Sequence, residues 1–356
     1  TVGESMIEIN ISRTLGRFHL NMEVKSDSRR IGILGASGCG KSMTLGCIAG
    51  IESPDRGRIV LEGRTLYDRD QKINVKPQKR KIGYLFQNYA LFPTMSVRKN
   101  IMAGLKCGKA EQEQIADKMI TKFQLDGLGD RLPGELSGGQ QQRAALARIM
   151  AYEPDVIMLD EPFSALDVFL KDRLQQELKE MLNDYKGIVI MVSHSRDEIY
   201  RFSDELLIMD KGSVVTHGQT KEIFAEPVYR EAARLTGCKN FSDMVRVDAH
   251  TAKLIDWGFT IHTEQEIPEE TVCIGYRAHD FVPVWGERCE NCLKVDVGSM
   301  AELPFEDNYY LNPEGEAKEN VPEICWFVQR EVGELLREKG LPDYLELKEE
   351  SMMFLK

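Results

Sequence analysis

The first part of the chain alternates between short apolar runs and longer amphipathic stretches. Residues 7–11 and 20–24 place apolar side chains at every second position, which predicts two half-buried antiparallel strands. Further on, apolar runs alternate with segments in which apolar residues recur every three or four positions, and this favours a parallel sheet covered by helices. The remaining predicted strands are 31–34, 57–63, 82–86, 156–159, 188–192 and 205–209, and the predicted helices are 41–49, 110–123, 139–151, 168–185, 196–202 and 220–236.

The pattern changes after Gly237, a residue type that commonly ends helices. A chain of 356 residues is long for one domain and comfortable for two. We therefore predict an α/β domain over 6–236 with a helical subdomain at about 88–153, a boundary near 237–245, and a smaller β-rich domain over 240–356. In this second domain the predicted β-segments are 271–276, 281–285 and 293–297, and the predicted helix is 322–339.

Composition and charge narrow the class of protein. Hydrophobic residues make up 42% of the chain and charged residues 29%, which is typical of a globular protein. The net charge of -11 comes without a basic cluster, which disfavours nucleic acid or an anionic lipid surface as the main partner. Apolar runs are far shorter than the roughly 20 residues of a membrane-spanning helix. Since there is no apolar leader and the cysteines are scattered, we expect a cytoplasmic protein with reduced thiols.

A glycine-rich segment lies between the strand predicted at 31–34 and the helix predicted at 41–49. Residues 35–42 read Gly-Ala-Ser-Gly-Cys-Gly-Lys-Ser and fit the pattern G-x-x-x-x-G-K-[ST]. Backbone N–H groups of such a loop bind polyphosphate together with the helix N-terminus. We expect Lys41 to reach the β- and γ-phosphates and Ser42 to help hold Mg²⁺. The alternative is a glycine-rich turn that only begins a helix.

Two carboxylates follow the buried strand predicted at 156–159. Asp160 and Glu161 would lie at the carboxyl end of a parallel strand, where ligands bind in open α/β sheets. Asp160 suits the magnesium-binding acid of a phosphate-loop NTPase, and Glu161 suits a group that polarises the attacking water. A solvated turn is the alternative for such a pair. Its combination with the phosphate loop favours the NTPase.

A short segment before the helix predicted at 139–151 distinguishes among NTPase classes. Residues 136–143 read Leu-Ser-Gly-Gly-Gln-Gln-Gln-Arg, which resembles the signature sequence of ATP-binding cassette (ABC) proteins. Ser137 followed by Gln140 is also a helix capping box, and the two interpretations are compatible. The resemblance implies that this helix start contacts the γ-phosphate of ATP held by a second copy of the chain. It therefore implies an ATPase that works as a dimer.

Other residues match family positions in the expected order. Gln87 looks like the glutamine that contacts Mg²⁺, residues 164–167 look like the loop that crosses the dimer interface, and His194 looks like the histidine that contacts the γ-phosphate. A structural role is the alternative for a histidine at a strand end. Phe18 is the candidate for stacking on adenine. The resemblance implies catalytic roles for Lys41, Gln87, Glu161 and His194, metal binding by Ser42, Gln87 and Asp160, and nucleotide binding by Gly35, Ala36, Ser37, Gly38, Cys39, Gly40, Lys41, Ser42, Met43, Ser137, Gly138, Gly139 and Gln140.

The resemblance covers nearly all of residues 7–236 and is closest to the ATPase subunit of molybdate importers. Residues 11–18, 75–87 and 130–133 carry this closer likeness. Since sulfate, polyamine and sugar importer ATPases share most of the architecture, they stay as alternatives. The implied fold is an α/β P-loop NTPase cassette, with a parallel sheet core, an antiparallel β edge and a helical subdomain, followed by a β-rich regulatory domain.

The resemblance also implies cofactors, partners and a location. Two copies would bind ATP and Mg²⁺ and dock on membrane permease subunits, with an extracytoplasmic substrate-binding protein as an indirect partner and no nucleic acid. The chain would then lie at the cytoplasmic face of the membrane. Apolar residues in 88–93 would receive the permease, and packing within the helical subdomain is the alternative. Residues 274–284 resemble a strand pattern of regulatory domains, some of which bind the transported oxyanion.

Cys289 and Cys292 form a C-x-x-C pair, with Cys273 and Cys325 elsewhere in the same region. Such a pair permits a zinc site, but without a second pair idle thiols are the alternative.

Two rival functions stay as alternatives to a transport ATPase. A non-transport ABC ATPase would carry a long coiled coil or a second cassette, neither of which occurs in this sequence. A non-catalytic nucleotide-binding regulator is disfavoured by the intact catalytic positions.

Overall fold

The computed structural model describes residues 6–164, 168–313 and 323–356. The chain divides into two compact units, Thr1–Lys221 and Glu222–Lys356. The first unit is built on one sheet, and the second on three smaller ones. The strands of the first unit are β1 (Ile7–Leu15), β2 (Phe18–Ser26), β3 (Arg30–Gly35), β4 (Arg56–Leu61), β5 (Arg64–Asp68), β6 (Ile73–Asn74), β7 (Ile82–Leu85), β8 (Val156–Asp160), β9 (Ile188–Ser193), β10 (Glu205–Asp210) and β11 (Ser213–Gln219).

The large sheet has the strand order β6-β5-β4-β1-β2-β11-β10-β3-β9-β8-β7. Strands β10, β3, β9, β8 and β7 pair in parallel, whereas β1, β2, β4, β5 and β6 form an antiparallel edge. The fold class implied by the family resemblance, a parallel core with an antiparallel edge, is therefore confirmed.

The first two strands form the antiparallel hairpin that their alternating pattern predicts. Ile7 lies opposite Ser26, and the pairing continues to Leu15 opposite Phe18. Ile9 and Ile11 are buried on the core face together with Ile7. The observed strands are longer than predicted because the pairing extends through polar residues up to the turn.

The parallel strands place their carboxyl ends at one edge of the sheet. Strands β8 and β9 are buried at every position, as expected for strands covered on both faces. The ends of β3, β8 and β9 therefore carry the phosphate loop, the Asp160-Glu161 pair and His194 to the same edge.

Helices cover this sheet and form the helical part of the first unit. The predicted spans 41–49 and 196–202 agree with the structure at both ends. The prediction of one continuous helix over 220–236 is wrong, because Pro227 lacks a backbone N–H and the segment divides into two short helices. The helices of the first unit are α1 (Lys41–Ala49), α2 (Val97–Met102), α3 (Lys109–Lys122), α4 (Gly138–Ala151), α5 (Val168–Asn183) and α6 (Arg196–Phe202). Helix α7 (Thr220–Ala225) contains the boundary between the units, and α8 (Arg230–Leu235) follows it.

The second unit begins before the boundary region predicted at 237–245. Helix α8 belongs to it, because Ala233 packs in a small core with Cys238 and Leu355. A larger core contains Trp257, Tyr276 and Trp326 among its buried residues. The strands are β12 (Asn240–Arg246), β13 (Thr251–Leu254), β14 (Phe259–His262), β15 (Cys273–Tyr276), β16 (Val282–Val284), β17 (Cys292–Leu293), β18 (Val295–Glu302), β19 (Glu306–Pro313), β20 (Ile324–Gln329), β21 (Tyr344–Glu346) and β22 (Met353–Leu355).

Two further predictions for this unit are corrected. The helix predicted at 322–339 begins only at Arg330, as α9 (Arg330–Lys339), because the preceding residues of β20 pair with β19. Cys289 and Cys292 are joined in a disulfide, so the expectation of reduced thiols is wrong for this pair, while Cys273 and Cys325 are free. Among the described residues there is no group of three or more His, Cys, Asp or Glu side chains that could hold a metal ion.

Within the described ranges, no helix is both long enough and apolar enough to cross a membrane.

Candidate functional site

The phosphate loop joins β3 to α1 through a left-handed backbone. Gly38 has φ 80° and Gly40, the residue that precedes α1, has φ 106°. Both values lie in the region that glycine adopts without steric cost, which explains these two glycines of the pattern. Because no side chain caps α1, its first N–H groups are available to an anion.

Lys41 lies inside this loop. Its side chain is buried, and Nζ donates hydrogen bonds to the carbonyl oxygens of Gly35 at 2.8 Å and Ala36 at 3.0 Å. The ammonium group is thus held by neutral carbonyls, without a carboxylate within ion-pair distance among the described residues. A phosphate that enters the loop would meet a positive charge already in position.

Ser42 and Asp160 lie side by side at the adjoining strand end. Ser42 Oγ donates to Asp160 Oδ1 at 3.1 Å. Tyr84 Oη donates to the other carboxylate oxygen, Asp160 Oδ2, at 2.9 Å. Burial raises the pKa of Asp160, and the hydrogen bonds from Tyr84 and Ser42 oppose that rise. Two oxygen-bearing side chains predicted to bind Mg²⁺ are therefore brought into contact.

Tyr84 was missed by the sequence interpretation. In the parallel pairing of β7 with β8, Tyr84 lies opposite Met158, two residues before Asp160. Side chains two residues apart on a strand share a face, so the register places the tyrosine beside the carboxylate. The sequence does show a tyrosine in the strand predicted at 82–86 and an aspartate after the strand predicted at 156–159. Their contact could be predicted only with knowledge that these strands pair and in which register.

Glu161 directly follows β8, and His194 directly follows β9. Glu161 has φ 45°, and its N–H donates to the carbonyl of Val192 at 2.9 Å, so the turn after β8 is tied to β9. His194 Nδ1 lies 3.4 Å from Glu161 Oε2. The histidine side chain is 58% exposed and the glutamate side chain 22% exposed, so both can reach a ligand from solvent.

One cavity of about 440 Å³ brings residues of the phosphate loop together with Gln87 and Glu161. Phe18 lies on its wall, close enough that a Cβ on Gly40 would be 3.0 Å from the ring. Leu15 also lies there, is 57% exposed, and was not predicted. The lining residues are Leu15, Phe18, Ser37, Gly38, Gly40, Lys41, Ser42, Met43, Gln87 and Glu161.

The signature segment lies apart from this cavity. Ser137 caps α4, since Gln140 N–H donates to Ser137 Oγ at 3.4 Å and Ser137 N–H donates to Gln140 Oε1 at 3.0 Å. Ser137 and Gly138 are exposed, whereas Gly139 is buried against Leu174. None of these signature residues is among the described residues that line the cavity. The capping interpretation of Ser137 and Gln140 is therefore confirmed.

Two other predicted segments have mixed outcomes. Of residues 164–167, only Ser164 lies within the described residues, where its Oγ donates to the carbonyl of Glu161 at 2.9 Å. In segment 88–93, Tyr89 is buried while Phe92 is 46% exposed, with the guanidinium of Arg148 5.5 Å from its ring centroid. This segment therefore combines internal packing at Tyr89 with an exposed aromatic at Phe92.

Comparisons with known proteins agree with these motifs. The family described as ABC transporter matches residues 18–164. The sulfate/thiosulfate import ATP-binding protein CysA of Synechocystis sp. is 35% identical over 285 residues, covering 78% of this chain and 76% of that protein. The molybdenum import ATP-binding protein ModC of Escherichia coli O6:H1 is 37% identical over 224 residues, covering 63% of each.

The spermidine/putrescine import ATP-binding protein PotA of Oleidesulfovibrio alaskensis is 40% identical over 214 residues, covering 59% of this chain and 56% of that protein. Among solved structures, the dimeric ATP-binding cassette MJ0796 in a post-hydrolysis state with ADP and Pi matches with a TM-score of 0.51 and 25% identity. That match covers 60% of this chain and 98% of the other.

Proposed function

The chain belongs to the family of ABC transporter ATP-binding proteins and is an ATPase of that type, and we propose that it drives import of a small solute through a separate membrane permease. The observation that carries the proposal is the convergence of Lys41, Gln87 and Glu161 on one cavity, with His194 beside Glu161. The three relatives named above are all import ATP-binding proteins.

In this proposal the phosphate loop binds ATP and positions its γ-phosphate. The N–H groups at the start of α1 and the ammonium of Lys41 face the polyphosphate. The residues present also fit Mg²⁺, since Ser42 and Asp160 offer oxygen ligands 3.1 Å apart and Gln87 lines the same cavity. When bound, Mg²⁺ neutralises charge on the β- and γ-phosphates.

Glu161 is the proposed general base. Its carboxylate lines the cavity and is partly exposed, so it can accept a hydrogen bond from a water next to the γ-phosphate. His194, whose Nδ1 lies 3.4 Å from Glu161 Oε2, would contact the γ-phosphate when ATP is bound. The pair thus positions the attacking water and the group under attack.

A second copy completes the site in this proposal. The capped start of α4 exposes Ser137 and Gly138, away from the chain's own cavity. A helix start of this kind attracts anions. Two chains in an ATP sandwich would place each signature against the γ-phosphate held by the other phosphate loop, and hydrolysis would reopen the dimer. The dimeric relative MJ0796 supports this arrangement.

For the transported solute, we propose a tetrahedral oxyanion, molybdate or tungstate first. Relatives with this chemistry are the sulfate/thiosulfate and molybdenum import proteins. A polyamine is the second candidate, because a spermidine/putrescine import protein is 40% identical over its matched region. The chain would act at the cytoplasmic face of the membrane on permease subunits served by an extracytoplasmic binding protein, with residues 88–93 as the permease contact.

The catalytic proposal is tested with Glu161→Gln. We expect MgATP binding to persist while ATPase activity falls by at least about 100-fold, the usual contribution of a general base. Glu153→Gln is the matched control. Like Glu161, Glu153 has a positive φ, 49°, but its side chain is exposed and is not among the described residues that line the cavity. Wild-type ATPase activity in Glu161→Gln would remove Glu161 from the role of base.

The same two variants test transport in cells. Uptake of labelled molybdate, sulfate and spermidine is measured with the wild-type chain and with each variant. We expect Glu161→Gln to abolish molybdate uptake and Glu153→Gln to preserve it. If Glu161→Gln abolishes only spermidine uptake, a polyamine and not an oxyanion is the transported solute. If it leaves uptake of all three solutes unchanged, an import function for these solutes is contradicted.

A further inference from the structure

Tyr84 has a contact that the roles proposed above do not use. It lies in β7, the edge strand of the large sheet, and its ring stacks on Phe86 with centroids 4.1 Å apart. This stacking and the strand backbone restrict the positions that the phenol oxygen can take. The hydroxyl is thus directed at one place, the carboxylate of Asp160.

The two oxygens of Asp160 have separate partners. Tyr84 donates to Oδ2 at 2.9 Å, and Ser42 donates to Oδ1 at 3.1 Å. Asp160 is only 8% exposed, so water does little to solvate the carboxylate. A turn of the carboxylate plane about χ2 would weaken both hydrogen bonds, and therefore the two donors fix the orientation of that plane beside Ser42.

The orientation of this carboxylate matters for the cation expected at Ser42. A serine hydroxyl that binds Mg²⁺ through its oxygen can still donate its proton to one neighbouring acceptor, and in this structure that acceptor is Asp160 Oδ1. Tyr84 donates to the other oxygen, Oδ2. Without that hydroxyl, Oδ2 would lose a charge-assisted hydrogen bond in a buried place, and the carboxylate would be free to turn away.

We propose that Tyr84 is a positioning residue for Mg²⁺: its hydroxyl locks the Asp160 carboxylate in the orientation that supports metal binding at Ser42. The role rests on the proposed Mg²⁺-dependent nucleotide site. It acts through Asp160, since Tyr84 is not among the described residues that line the nucleotide cavity. It therefore concerns the metal and not the nucleotide itself.

Tyr84→Phe removes only the hydroxyl oxygen. Affinity for Mn²⁺, used as a spectroscopic substitute for Mg²⁺, is measured by electron paramagnetic resonance in the ATP-bound chain, and ATP affinity is measured separately with EDTA. We expect the metal dissociation constant to rise ~10-fold, as for loss of a hydrogen bond to a charged group, with metal-free ATP binding unchanged. Thermal melting checks the fold.

Tyr152→Phe is the matched control, because Tyr152 Oη donates to the Ile82 carbonyl at the other end of the same strand, 3.3 Å away. Its metal affinity should equal that of the wild type. A Tyr84→Phe chain that binds Mn²⁺ as the wild type does, or that loses metal-free ATP binding to the same extent, would overturn the role of Tyr84. Failure of the wild type to bind Mn²⁺ with ATP would overturn both the role of Tyr84 and the proposed Mg²⁺-dependent nucleotide site on which that role rests.

Discussion

Single residues decide which part of a nucleotide each wall of the cavity can bind. In the proposed site, Lys41 and the N-terminus of α1 face the phosphates of the nucleotide. Phe18 also lines the cavity, and its ring lies next to Gly40 of the phosphate loop. A ring at this wall can stack on a base, and stacking tolerates any base because each has a π-face. We therefore propose that Phe18 stacks on adenine.

Phe18→Leu should weaken ATP binding about 10-fold, in line with the loss of one base stack. Binding of tripolyphosphate, which has no base, should not change. Both affinities can be measured by isothermal titration calorimetry. Phe92→Leu, a change of an exposed aromatic outside the cavity, serves as the control. Equal losses for ATP and tripolyphosphate would show that Phe18 supports the loop and does not stack on adenine.

At the scale of elements, the antiparallel edge depends on a close approach between β1 and β4. Gly57 has φ 98°, and a Cβ at this position would lie 1.9 Å from the carbonyl oxygen of Asn10. Gly57 faces Ile11 in the strand pairing. No side chain fits without separating the two strands, so glycine is required here for space as well as for conformation.

Gly57→Ala and Gly104→Ala separate these two requirements. Gly104 has nearly the same φ, 97°, but no atom lies within 4 Å of its added Cβ. We expect Gly104→Ala to cost about 1–2 kcal/mol of unfolding free energy from the backbone alone, and Gly57→Ala to cost roughly 4 kcal/mol or more because a steric clash is added. Urea unfolding measures both, and equal losses would contradict the close approach.

Local patterns predicted the elements that local interactions determine. The span of α1 and the capping box at Ser137 follow from neighbouring residues, and both agree with the structure. The contact of Tyr84 with Asp160 depends on pairing between distant segments, which one sequence does not specify. The break at Pro227 was readable, but the apolar spacing on both sides concealed it.

At the scale of the whole molecule, the nucleotide cavity and the signature occur in the same unit, but no signature residue is among the described residues that line the cavity. In the proposed function an active ATPase requires a second copy, because each chain would supply a phosphate loop to one site and a signature to the other. The requirement of two chains is the central claim of this account, and it separates the proposed motor from an ATPase that works as a single chain.

Mixing two inactive variants tests this claim most directly. Lys41→Ala disables the phosphate loop, and Ser137→Arg disables the signature at an exposed position. Random pairing in an equal mixture gives half heterodimers, each with one intact composite site, so ATPase activity should recover to roughly a quarter of the wild-type value. Activity that stays at the sum of the two separate variants would contradict the dimeric site.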